Sequence, residues 1–511
     1  MDVLDWISFG KVSAERDENL DDYFFDNGTL RSLVDNRHEF LVLGRKGAGK
    51  TAVFRHFAAR HAHYCQPGSS FVGLSLEDYN WNIHKLLANK SAAESLAYKQ
   101  SWKFVILVEA IKAACSYFEV QKKPLPPSLK KSQDLLHRLF ENPLPTLGEI
   151  VSRKLLRLSK LKFPKAGLGL DEGAFDGIEF GGGEVSFEDV QGDPSLQEII
   201  SNNLSHIISH LEVAARAIPS DCCVFVCFDR VDEAWDDISF ESSRRVIAGL
   251  VSAADSISSD FKDRIRPIVF LREDIFEVLS LNDANKLRED CGELLSWDRD
   301  SLWKLILVRV NFFGKAHGIP SVTDVAELFD RAEMRQRAKP SNYILRRSMM
   351  RPRDLVAFLN RVVSTMKEQR DDPFQEEVLH FETLSVDSLY AAESGYSEWL
   401  LNELIDEWGT QRPEVKRLLS GIQATGTTSF SHDVLAQKLN LDADSSEYLD
   451  QLKLLYNMSA IGFPRARGPA IDYIFRCFLP SQGFVRSDEY KVHDGLVRAL
   501  NLVETRERET K

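Results

Sequence analysis

Eight consecutive residues carry the clearest chemistry in the chain: Gly44-Arg45-Lys46-Gly47-Ala48-Gly49-Lys50-Thr51, a complete G-x-x-x-x-G-K-T pattern. Glycines let the main chain curl until successive N–H groups converge, which is what phosphate oxygens need from donors. Lys50 supplies a charge for the outer phosphates, and Thr51 a hydroxyl for a magnesium ion. Gly44 to Ala52 are therefore the candidate nucleotide-binding residues, with ATP or ADP and Mg²⁺ as the expected ligands. Such a loop must be held between a strand and a helix. Glu39 to Leu43 reads as a short buried strand and Thr51 to Arg60 as the helix after the loop, whose N-terminus adds partial positive charge.

A second candidate lies about 170 residues on. Val224 to Phe228 is a continuous apolar run, the pattern of a strand buried on both faces. Asp229 ends it, at the carboxyl edge where ligands of parallel sheets gather, and is the expected second magnesium ligand. Arg230 comes next, so a water-orienting carboxylate has to come from Asp232 or Glu233, with Glu233 preferred; without either, the chain binds ATP but turns it over slowly. Pro267 to Leu271 is a further buried strand, tipped by Arg272, which is suited to read a γ-phosphate or to pair with Glu273 or Asp274. Met350-Arg351-Pro352-Arg353-Asp354 opens an apolar-periodic helix. Pro352 and Arg353 there, with a second guanidinium, that of Arg351, beside the proline, are candidates to cover the base or phosphates, against the plainer reading of a helix cap with solvated arginines.

Taken in order, these motifs resemble the additional-strand P-loop ATPases, and within them the STAND-type signalling ATPases and the related origin-recognition ATPases. More narrowly, Phe9-Gly10, Ala14-Glu15, Gly44-Arg45-Lys46-Gly47 and Asp229-Arg230-Val231-Asp232-Glu233 resemble a bacterial P-loop ATPase family. Some ATPases related to that family serve in antiphage defence. The resemblance implies an α/β parallel sheet with a large helical insertion, then a helical domain and a C-terminal winged helix. It also implies that His493, in Val492-His493-Asp494, contacts the β-phosphate of bound ADP. The competing reading makes Asp494 a helix cap with His493 exposed beside it. No separate effector domain and no sensor repeat are legible.

The 511 residues carry 64 Lys+Arg against 77 Asp+Glu, a net charge of −13, so any nucleic-acid contact has to come from a local basic patch. An apolar share of 43% excludes a mainly disordered chain. No run approaches the roughly 20 apolar residues that span a bilayer, and no secretory signal is legible, so a cytoplasmic location without membrane contact is expected. The seven cysteines include Cys222, Cys223 and Cys227 in an apolar run, which favours buried core over a metal site. The expected domains are residues 1–290 around the phosphate loop with an insertion at 80–215, a helical lid at 291–392, a winged-helix-like domain at 393–503, and a charged tail at 504–511. Within the insertion, Ile150 to Lys165 reads as a basic amphipathic helix and Gly167 to Gly183 as a glycine-rich loop. A basic wing tip at Arg465 and Arg467 and an acidic helix at Ser445 to Asp450 favour protein packing over DNA reading. The leading expectation is a nucleotide-dependent switch that signals to further copies of itself or to a separate effector protein. The alternatives are an origin-recognition-like ATPase acting on DNA through its winged helix, and a nucleotide-binding scaffold without turnover.

Overall fold

The computed structural model describes residues 1–76, 84, 98–145, 161–162, 179–180, 194–234, 240–374, 379–467 and 470–503. The basic stretch and the glycine-rich loop expected between 150 and 183 lie outside these residues, apart from the short antiparallel pair β3 (Leu161–Lys162) and β4 (Glu179–Phe180). The chain divides into two compact units. One comprises Met1–Asn27, Lys46–Gly49 and Ser296–Lys511; the other comprises Gly28–Arg45 and Lys50–Leu295. Residues 1–27 thus group with the C-terminal half, whereas the sequence reading kept them with the phosphate loop.

The second unit is an α/β layer structure around a parallel sheet. Its strands are β1 (Leu41–Gly44), β2 (Ser70–Ser75), β5 (Val224–Asp229), β6 (Ile265–Arg272) and β7 (Gly292–Leu294), ordered β2-β5-β6-β1-β7. β1, β5 and β6 are buried along their whole length, as continuous apolar runs require. Register puts Gly44 beside Arg272 and Ser75 beside Asp229, so the chemistry-bearing residues share the carboxyl edge. Helix α1 (Thr29–Asp35) is tied to the sheet by buried Arg266, which donates to Leu33 O, to Val34 O at 2.9 Å and to Asn36 O at 2.7 Å. A guanidinium there satisfies the carbonyls that a helix C-terminus leaves open.

The described helices between β2 and β5 pack into the α/β core. Helix α2 (Lys50–Tyr64) comes after β1, and α3 (Lys99–Val120) packs on β2, β5, α5 (Pro194–Arg216) and α6 (Phe240–Phe261), with α4 (Pro127–Phe140) against α5. Trp102, Phe104, Ile106, Leu107 and Ile111 are each wholly buried. A helix apolar on every side is a core helix, and each such side chain contributes roughly 1.5–3 kcal/mol. Trp102 also donates from Nε1 to Val246 O at 3.0 Å. Cys222 and Cys227 are buried core thiols, pushed up by burial, and no group of three or more His, Cys, Asp or Glu able to hold a metal occurs among the described residues. The edge helices α7 (Glu273–Val278) and α8 (Ala284–Cys291) precede β7.

The first unit is helical and ends in a small sheet. Helices α9 (Arg299–Ala316), α10 (Pro340–Arg347), α11 (Pro352–Arg370) and α12 (Val386–Trp408) form its body. Buried Arg309 on α9 draws the N-terminal segment in. It donates to Phe9 O at 2.6 Å, lies 3.4 Å from Asp17, and sits over the Tyr23 ring at 4.8 Å. Gly10 is required here. Its φ is +75°, and an added Cβ would lie 2.7 Å from Arg309 Nη1 and 2.8 Å from Asp17 Oδ2. Beyond α12 come α13 (Val415–Thr425), α14 (His432–Leu439) and α15 (Ser446–Asn457) with a sheet ordered β10-β9-β11-β8. Strands β8 (Ser429–Ser431), β9 (Ile461–Arg467), β10 (Ala470–Ile474) and β11 (Glu489–Val492) pair antiparallel, and the β9–β10 hairpin supplies the wing. Among the described residues no helix is long and apolar enough to cross a membrane.

His84 is sealed in the α/β core, stacked on Trp102 at 4.2 Å with Nδ1 2.7 Å from Ser101 Oγ. Burial holds its pKa down at about 3. An unfolded imidazole protonates near 6.5, so stability that is full above that pH is lost progressively as pH falls toward 3, up to about 4–5 kcal/mol. His84→Phe removes this acid sensitivity. Denaturant titrations from pH 7.5 to 4.5 should show wild type losing ground to the variant, and parallel losses would clear His84 of the effect.

Candidate functional site

The phosphate loop begins where β1 ends. In the α/β unit, Lys50 opens α2 and is partly buried; its Nζ donates to Gly44 O at 2.9 Å and to Arg45 O at 3.2 Å. Desolvation lowers its pKa, opposed first by the charge of Asp232, then by Asp229 and Asp274, while Arg272 adds to the lowering. Thr51, next on the helix, donates its hydroxyl to Asp229. Asp229 is 3% exposed, and burial raises its pKa to about 6 against the lowering effects of Thr51, Lys50 and the Arg230 amide. The two terminal nitrogens of Arg45 are sealed from solvent and have no hydrogen-bond partner among the described residues. Ala52 is half-buried in the first turn of α2.

Arg272 is engaged as a fork by Asp274, Nε to Oδ1 at 3.1 Å and Nη2 to Oδ2 at 2.7 Å, with Nη1 4.0 Å from Asp232. Of the two pairings the sequence left open for it, Asp274 takes Arg272 and Glu273 takes Arg288. Asp232 lies in the 3₁₀ turn Val231–Ala234 and is half-exposed; the Glu233 side chain lies outside the described residues. Arg230 has φ +58°, so the chain turns sharply directly after Asp229.

The tip of the loop belongs to the helical unit. Gly47 has φ +81° and Gly49 φ +106°, and a Cβ on Gly47 would meet Arg353 Cβ at 3.1 Å. Arg353 lies along the loop and pairs with Glu403 at 3.0 Å. Pro352 is buried at the start of α11. Its neighbour Arg351, one of the two guanidiniums expected beside Pro352, donates from Nη1 to Lys46 O at 2.9 Å and to Glu407 Oε2 at 2.8 Å. Asp354 holds the other side of the guanidinium at 3.0 Å. These three side chains are nearly solvent-free, and burial opposed by two carboxylates leaves Arg351 firmly charged. Trp297 was passed over; its Nε1 donates to Ala48 O at 2.8 Å. The i, i+3 spacing of Arg351 and Asp354 was readable, but nothing local marks Trp297, whose partner lies 249 residues away.

His493 takes a different place from either expectation. It is wholly buried, lies 5.6 Å from the Phe478 ring and 5.3 Å from that of Phe475, and accepts from Gly495 N at Nδ1. The chain continues from it into a three-residue 3₁₀ turn instead of a helix, and Asp494 pairs with Arg346 at 3.2 Å. An aromatic cage and a capping bond account for this imidazole.

Within the α/β unit, a partly buried ammonium and a hydroxyl bonded to a buried carboxylate form a set suited to a polyphosphate with a divalent cation. The fold and this loop define an α/β, P-loop NTPase-like architecture. Within the chain, residues 300–405 match the FunZ-associated C-terminal helical domain. The chain is similar to the putative transposon gamma-delta 80.3 kDa protein of Escherichia coli (strain K12), with 24% identity over 97% of this chain and 67% of that protein. Among solved structures it is similar to Orc1 of Aeropyrum pernix in complex with DNA, at 11% identity and a TM-score of 0.35 over 93% of this chain and 91% of that one. It is similar also to Cdc6p of Pyrobaculum aerophilum, at 10% identity and a TM-score of 0.32 over 95% of this chain and 93% of that one.

Asp229 yields a signed prediction. A carboxyl whose folded pKa is raised from 3.8 to about 6 stabilises fully below 3.8 and loses that contribution as pH rises through 6. At pH 8 the buried charge costs at most about 3 kcal/mol. Asp229→Asn should therefore melt above wild type at pH 8 in nucleotide-free, EDTA-treated buffer, with the gap closing by pH 4. A variant that melts below wild type at pH 8 contradicts this.

Proposed function

We propose that this chain binds ATP and ADP with Mg²⁺ and acts as a slow, nucleotide-dependent switch. The observation that carries the reading is the Thr51 hydroxyl bonded to buried Asp229, whose charge acts on the neighbouring Lys50 ammonium. Bound magnesium nucleotide supplies a cation to Asp229 and Thr51 and phosphate charge to Lys50, so each group gains opposite charge beyond the partial compensation that Lys50, Asp229, Asp232 and Asp274 give one another. Glu233 is the proposed group for orienting water, with Asp232 as the rival, and Arg272 the reader of the γ-phosphate. The recipient of the switch is a second copy or a separate effector, and the resemblance of the loop and Asp229–Glu233 signatures extends the reading to antiphage defence.

Calorimetric titration of ATP and ADP, with Mg²⁺ and with EDTA, tests this directly. Wild type should bind both, EDTA should weaken ATP binding at least tenfold, and Lys50→Ala should bind neither detectably while remaining folded. Unchanged binding in Lys50→Ala overturns the proposal. Tight ATP retention with no phosphate release, unaltered by Asp232→Asn or Glu233→Gln, favours the scaffold without turnover.

One observation supports a second reading, DNA contact through the wing. Arg465 is exposed on the β9–β10 hairpin, in a chain whose acidic α15 start is exposed elsewhere in the same domain. The putative transposon protein similar to this chain carries a mobile-DNA name of its own. Duplex binding that weakens steeply with salt, and that Arg465→Ala with Arg467→Ala abolishes, supports it; binding unchanged by that pair removes it.

A further inference from the structure

The loop tip and its partners in the helical unit show a pattern that the nucleotide-binding reading does not use. Two alternate carbonyls, Lys46 O and Ala48 O, each accept a hydrogen bond from a fixed side chain: Arg351 Nη1 at 2.9 Å and Trp297 Nε1 at 2.8 Å. In a trans peptide the C=O and the N–H of the next residue point in opposite directions. Holding Lys46 O therefore aims Gly47 N–H the other way, and holding Ala48 O does the same for Gly49 N–H. We infer that Arg351 and Trp297 are positioning residues, which aim the Gly47 and Gly49 amides at phosphate by holding the carbonyls behind them.

Both donors are braced. Arg351 has Asp354 on one side and Glu407 on another, all but sealed from water, so its guanidinium has little freedom to leave Lys46 O. Trp297 directly precedes Asp298, whose carboxylate caps α9 by accepting from Ser301 N at 2.7 Å while Ser301 Oγ accepts from Asp298 N at 3.0 Å. Asn27 Nδ2 fixes the adjoining Ser296 O at 2.7 Å, and the Phe25 ring lies 6.3 Å from that of Trp297. Arg353 fills the space over Gly47. The glycines need this help. A residue at φ +81° or +106° is open to many conformations in a free chain, so its amide has no aim of its own. Donors that fix the carbonyls reduce the ordering left to be done when phosphate arrives.

This inference rests on the nucleotide reading, and the wild-type titration tests that reading separately. Trp297→Phe keeps the ring and removes only the N–H; Arg351→Lys keeps the charge and a donor, and Arg351→Met removes both. Trp297→Phe should raise the Kd for ADP about 3- to 10-fold, as expected for one lost hydrogen bond, with the nucleotide-free melting temperature within about 2 °C of wild type. Pyrophosphate, which meets only the phosphate side, should lose the same factor. Arg351→Lys should recover much of the ADP affinity lost in Arg351→Met, and should Arg351→Met fail to fold, Trp297→Phe alone decides. Wild-type affinity for ADP and pyrophosphate in Trp297→Phe overturns the positioning role. Absent binding in wild type overturns the nucleotide reading and this inference with it.

Discussion

Main-chain amides grip phosphate only if the peptide planes that carry them are turned and kept turned, and each plane that presents an N–H inward presents a C=O outward. That constraint organises the loop from Gly44 to Thr51. Positive φ at Gly47 and Gly49 supplies the turning. Four of its carbonyls are met by side-chain donors: Lys50 at Gly44 and Arg45, Arg351 at Lys46, Trp297 at Ala48. Buried carbonyls without partners are costly, so the loop's shape and the placement of these side chains come from one requirement.

Charge burial is the second constraint, and it works against the protein's own stability. Lys50 is pulled down and Asp229 pushed up by the same loss of water, so each moves toward its neutral form. Their mutual attraction, with Asp232 and Asp274 nearby, offsets only part of that. Groups held in this condition gain most from a ligand that carries the missing charges, which is how a binding site comes to be a weak point of the empty protein. Arg351 shows the contrasting solution. Two carboxylates surround it, and its positive state is secured well above the ordinary range. The first arrangement suits a group that answers to a ligand and the second a group that stays put.

How much of this was legible depends on how local each signal is. The loop, the strands ending at Asp229 and Arg272, and the wing hairpin were readable because glycine spacing and apolar runs act over a few residues. The role of residues 98–145 as core was not. Trp102 and Ile106 look alike in a buried layer and in an insertion, and only packing on β2 and β5 decides. His493 was misplaced for a similar reason: His-Asp beside an apolar stretch is as compatible with an aromatic cage as with a surface cap. Residues 1–27 were assigned by chain order, whereas Arg309 recruits them across about 300 positions. Arg351 carried half of its signal in the Asp354 spacing. The other half, Glu407 and Lys46 O, is tertiary.

The turn after Asp229 links the two constraints. Arg230 adopts a left-handed conformation, which for a side chain of this size costs on the order of 1 kcal/mol. Its neighbours show what that strain accomplishes. Val231 is buried, and Asp232, one residue further on, becomes the carboxylate whose charge acts most strongly on Lys50 while standing 4.0 Å from Arg272. A straight continuation of β5 would carry Asp232 onward along the strand direction, away from that pair. The kink instead keeps Asp232 close enough to act on Lys50 and Arg272, so the place of that carboxylate is set by a backbone torsion two residues before it.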